Sequence, residues 1–87
     1  MAGLTSAKKH HVTGTGDDGV VKSLPGRLLR VVLNTNGATL TLRDGASEVI
    51  GIIATDAPEG TFNYGIYCDT DIRVEASGAI DATVIFD

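Results

Sequence analysis

Leu40-Thr41-Leu42-Arg43-Asp44-Gly45-Ala46-Ser47-Glu48-Val49-Ile50-Gly51-Ile52-Ile53 is the stretch on which the fold class turns. In its first half Leu40 and Leu42 alternate with Thr39, Thr41 and Arg43, the period of two that puts one set of side chains on each face of a strand. Asp44-Gly45 then supplies a tight-hairpin signal, because glycine adopts the positive φ such turns need without steric cost. The β-branched run Glu48 to Ala54 follows. Two strands joined by a short turn are the expectation.

The same texture continues in both directions. Short runs rich in Val, Ile, Leu and Thr recur between turn residues at the spacing of an antiparallel sandwich or barrel. Seven strands are expected: Val20 to Leu24, Arg27 to Asn34, Ala38 to Arg43, Glu48 to Ala54, Thr61 to Asp69, Asp71 to Ala76, and a last one in which Ile80, Ala82, Val84 and Phe86 share a face. Pro25-Gly26, Asn36-Gly37 (a dipeptide suited to positive φ), Asp44-Gly45 and Gly78 punctuate them. In the fifth run Phe62, Tyr64, Ile66 and Cys68 fall on one face, and in the sixth Ile72, Val74 and Ala76 point inward. No run carries apolar residues at helical spacing over a dozen positions. The fold class expected is therefore all-β: a small antiparallel β-sandwich or barrel of about seven strands over residues 20–87.

Residues 1–19 read differently. They are polar and glycine-rich, with Leu4 and Val12 as the large apolar side chains after Met1, and are expected to form a flexible or extended N-terminal arm. Lys8, Lys9, His10 and His11 give this end a local positive character in a chain whose net charge is −4. That acidity argues against a nucleic-acid surface, and with no Trp, two Tyr and two Phe there is little for bases to stack on. No stretch approaches membrane-spanning length, and no membrane partner is expected.

The chemistry-bearing residues are sparse. The one cysteine, Cys68, cannot close an internal bridge and fits an intracellular, reducing origin; its place in a strand reads as a small buried apolar residue. His10 and His11 are consecutive, so on an extended chain they point to opposite sides and make a poor start to a tetrahedral metal site. Asp17-Asp18 and Asp69-Thr70-Asp71 lack the ligand run of a calcium loop and read as turns. Gly14-Thr15-Gly16 is not followed by the Lys and helix of a phosphate loop. Neither catalytic residues, nor a metal, nor a cofactor are expected, and the chain is read as a non-enzyme.

Two runs depart from simple alternation. Leu28 to Leu33 and Val49 to Ile53 are apolar on both faces, whereas one small sandwich has one interior. At 87 residues a single core buries only about 60% of the unfolded chain's surface, so association is a natural supplement. A homo-oligomer is expected, with a trimer favoured. Leu28, Val32, Ile50 and Ile52 are the candidate interface residues in the strands; Leu4, Lys8, Lys9 and Val12 are those in the arm.

Four stretches carry a family resemblance: Leu40 to Asp44, Gly60-Thr61-Phe62-Asn63-Tyr64-Gly65-Ile66, Ile72 to Gly78, and Ala82-Thr83-Val84-Ile85-Phe86. Together the region Gly26 to Asp87 resembles small all-β virion proteins of tailed bacteriophages. The resemblance implies a head-decoration or cement protein that binds the major capsid protein, stabilises contacts between its subunits, and resides on the head surface after synthesis in the host cytoplasm. A tail or fibre component is an alternative from the same source, and a carbohydrate-binding adhesion module an alternative from another class.

Overall fold

The computed structural model describes residues 7–15 and 19–87, and among these the chain is all-β. Eight strands follow one another: β1 (Lys8–Val12), β2 (Gly19–Lys22), β3 (Gly26–Thr35), β4 (Leu40–Asp44), β5 (Glu48–Ile53), β6 (Gly60–Cys68), β7 (Ile72–Ala76) and β8 (Asp81–Phe86). They form two four-stranded sheets in the orders β1-β8-β3-β6 and β2-β7-β4-β5, with every pairing antiparallel. That is the strand order of an eight-stranded jelly roll. Consecutive strands lie in opposite sheets everywhere except β4 and β5, so the Asp44-Gly45 turn closes the single hairpin between successive strands.

The strand cores follow the alternation in the sequence. Leu40, Leu42, Ile72, Val74, Ala76, Ile80, Ala82, Val84 and Phe86 are all buried between the sheets. Gly45 has φ +75° as the turn requires, although the connection is three residues long, with Asp44 paired to Glu48. The turn is braced from the β6–β7 connection. Asp44 accepts hydrogen bonds from the main-chain N–H groups of Asp69 and Thr70, both at 2.9 Å, while Asp71 accepts one from Gly45 N–H at 2.9 Å.

Three expectations are revised. The arm supplies an eighth strand: β1 pairs along its length with β8, and Val12 is completely buried opposite Ala82. An edge strand of this kind is held by main-chain bonds to its neighbour, so Lys-Lys-His-His-Val needs little alternation to form it. Leu4 lies outside the described residues. Asn36-Gly37 is not a positive-φ turn; Gly37 is required because a Cβ there would meet the main-chain oxygen of Ala79 at 2.6 Å.

The third revision concerns the two-faced runs. Leu28 and Val31 are both buried although they stand three positions apart, which simple alternation would put on opposite faces, because the β3 register slips between Leu28 and Arg30 against both neighbours. A bulge of this kind switches the inward set from even to odd positions. On β5 the ladder slips between Val49 and Gly51, leaving Ile50 as the extra residue, packed partly against the core. Part of the apparent second apolar face is thus folded inward, while Val49 and Ile52 on β5 remain exposed.

Candidate functional surface

The two sheets stack so that β6 lies over β5. The ring of Tyr64 on β6 sits where a Cβ on Gly51 of β5 would stand 2.9 Å from it, so glycine is what lets these two edge strands close. The strand orders then place β1 and β2 on the opposite long side of the sandwich. The two sides differ in chemistry. The β1/β2 side carries Lys8, Lys9, His10, His11 and Lys22. The β5/β6 side has one charged residue within its strands, Glu48, at the very start of β5.

Apolar exposure concentrates on the β5/β6 side. Val49 is 45% exposed, Ile52 61%, Ile66 39% and Tyr67 59%, and together they account for four of the six large hydrophobics exposed among the described residues. Their directions follow from the ladders. Ile52 is paired with Thr41 and Val49 with Arg43, on the outer face of the second sheet, while Tyr67 is paired with Arg27 on the outer face of the first. Ile66, opposite buried Leu28, turns inward yet stays accessible because among the described residues no strand lies beyond β6. The apolar surface therefore wraps the long side of the sandwich from one outer face to the other. Exposed apolar surface gathered in one region marks an interaction site more often than scattered single residues do.

The sequence-predicted interface residues divide accordingly. Ile52 is on this surface, Ile50 is half-buried at its inner margin, and Val32 is half-buried on the outer face of the first sheet between Thr61 and Thr83. Leu28 and Val12 are wholly buried in the core of the domain, the first because of the β3 bulge and the second because β1 turns its last residue inward. Lys8 and Lys9 are exposed on the opposite, basic side. Ile66 and Tyr67 are not among the interface residues expected from the sequence, and Val49 enters there only as the start of the two-faced run Val49 to Ile53. Their common signal is edge position, which alternation alone does not contain; the nine-residue run without charge in β6 was the legible clue.

Other polar groupings serve the fold. His11 Nε2 lies 2.7 Å from Asp81 Oδ1, which also accepts from Asn34 Nδ2 at 3.1 Å, tying β1 to β8 and β3; these bonds hold the Asp81 carboxyl below its ordinary range. Arg27 and Asp87 form a two-pronged pair that anchors the last residue. Arg43 and Arg73 stand directly opposite one another on β4 and β7, an unfavourable juxtaposition of like charges. Each is matched by its own carboxylate, Arg43 by Glu75 at 3.1 Å and Arg73 by buried Asp71 at 3.0 Å. Burial, reinforced by the charge of Asp44, pushes the Cys68 thiol up to about 11, so it remains a protonated, unreactive core residue near neutrality. Among the described residues no cluster of three or more His, Cys, Asp or Glu side chains is placed to hold a metal, and no helix is long and apolar enough to cross a membrane.

No protein-family model matches the chain, and no curated protein matches it in sequence. The functional reading therefore stands on the surface just described.

Proposed function

We propose that the protein is an adhesive structural subunit, and specifically a decoration protein that attaches to an assembled bacteriophage head and holds neighbouring capsid subunits together. The observation that carries this reading is the gathering of exposed Val49, Ile52, Ile66 and Tyr67 on the two edge strands β5 and β6, on a domain whose remaining outward-facing residues are largely polar. A protein of this kind acts by addition: each contact buries apolar surface worth about 25 cal/mol per Å² and cross-links adjacent shell subunits against outward pressure. The basic β1/β2 side, with Lys8 and Lys9 exposed, offers a second, salt-sensitive contact to an acidic shell surface.

The test uses shells assembled without decoration. Purified protein is added, the shells are sedimented, and bound protein is measured for the wild type and for Ile52→Asp with Tyr67→Ser. Wild-type protein should co-sediment and the variant should not, while both unfold at the same temperature because exposed substitutions of this kind change stability little. Wild-type protein left in the supernatant at every concentration overturns the reading. Immunogold labelling of virions separates head attachment from a place in the tail or fibre.

A further inference from the structure

Each sheet ends in two edge strands, and an unpaired edge offers a row of main-chain donors and acceptors to any other strand. Soluble proteins blunt such edges with charge, brevity or irregularity. Three of the four edges here are treated that way. β1 carries two lysines and two histidines in five residues; β2 is four residues long and ends in Lys22; β5 starts at Glu48 and is bulged at Ile50. The fourth, β6, is nine residues long and reads Gly-Thr-Phe-Asn-Tyr-Gly-Ile-Tyr-Cys, with no charged residue and no proline. Among the described residues it pairs with β3 alone. Gly60 at its start has φ +139°, and Tyr64 with Gly65 (φ +63°) forms a bulge opposite Leu29, which leaves Thr61 to Asn63 as the regular part of the edge.

We infer that β6 is the pairing edge for a second copy of this chain, joined antiparallel to its own counterpart across a two-fold axis, so that the first sheet continues through the interface as eight strands. The inference rests on the adhesive reading of the β5/β6 side and divides it: edge pairing takes up Val49 and Ile66, and Ile52 and Tyr67 on the outer faces of the two sheets are left for the shell. Three features select a second copy as the occupant. An antiparallel strand pair about a two-fold is self-complementary, each copy offering the other the same donors and acceptors, and it closes as a dimer. The chain carries a net charge of −4, so two copies repel except where they meet on uncharged surface, and β6 is the uncharged edge. Pairing β6 also brings the two β5 edges together beneath it, which takes Val49 and Ile66 out of water in the same event. Pairing β6 with β1 of another copy would instead be head-to-tail and would add chain after chain without closing.

The test places like charges at the join. Thr61 and Asn63 are exposed, and they lie opposite Val32 and Arg30 on the outer face of the first sheet, so Thr61→Lys with Asn63→Lys adds charge to the edge without entering the core. Light scattering behind size exclusion should find the wild type dimeric and the double variant monomeric, with β-type circular dichroism retained. Hydrogen exchange of the wild type at two concentrations gives a readout that needs no variant: amides of β6 should become slower to exchange as dimer forms, and those of β1 should not. A wild type that is monomeric or trimeric, a double variant that remains dimeric, or concentration-dependent protection in β1 instead of β6 each overturns the edge pairing. Co-sedimentation of the double variant with undecorated shells is scored separately. Retained shell binding by a monomer supports the adhesive reading independently of the dimer, and loss of self-association leaves that reading to its own assay.

Discussion

The ring of Tyr64 covers Gly51 across the two sheets, with Cε1 and the hydroxyl oxygen both within about 3 Å of the position a Cβ would take. This contact decides how closely β5 and β6 approach, and so the shape of the apolar side. Gly51→Ala should displace the ring and destabilise the protein by about 1 kcal/mol, the lower end of what overpacking costs, since the ring tip has some room to move toward solvent. In a Tyr64→Leu background the same substitution should be close to neutral. Urea unfolding of the four proteins measures the coupling, and additive effects would show that the two residues do not compete for the same space.

Gly45 is held at φ +75° in the three-residue turn between β4 and β5, with Thr70 side-chain atoms 3.7 Å from where a Cβ would stand. The space is adequate, so backbone strain decides the outcome. Gly45→Val should cost about 1–3 kcal/mol, while Ala46→Val, one position on and without positive φ, should cost far less. Equal melting temperatures for the two variants would contradict this account of the turn.

Asp44 gives stability a predictable pH dependence. Main-chain N–H bonds from Thr70 and Asp69 hold its carboxyl below the ordinary value of 3.8. A folded-state value below the unfolded one means the contribution is fully present above the unfolded pKa and is lost as pH falls through the folded one. Asp81, bonded by His11, and Asp87, bonded by Arg27, act in the same direction. Wild-type stability should therefore fall below about pH 4, and the gap between wild type and Asp44→Asn should narrow over the same range. Urea midpoints from pH 7 to pH 3 provide the check, and a gap independent of pH would remove Asp44 from the explanation.

Removing residues 1–19 should destabilise the domain, because β1 covers the edge of β8 and Val12 is buried without residual exposure. Val12→Ala alone should cost about 2 kcal/mol, from the two lost carbons and the cavity left behind. The chain starting at Val20 should unfold at a clearly lower temperature and, with β8 newly exposed as an edge, aggregate more readily. A truncated chain as stable as the whole would mean that β1 contributes nothing to folding.

The local pattern of side chains determined most of the fold. Seven of the eight strands, their inward residues from Leu40 to Phe86, the β4–β5 hairpin and the burial of Cys68 follow from period-two alternation and turn chemistry, which act between residues near in sequence. The eighth strand, the exchange of inward faces at the β3 bulge and the order of strands in each sheet depend on partners far along the chain. Val12 is in the core because Ala82 lies beside it, and Leu28 and Val31 can both point inward because the ladders on either side slip together. The candidate surface divides along the same line. The absence of charge in Gly60 to Cys68 is plain in the sequence, whereas only the tertiary structure places that run at an edge, over β5, where Ile66 and Tyr67 stay in water. Exposure is a property of what packs against a residue, and for an edge strand the deciding fact is a neighbour that is not there.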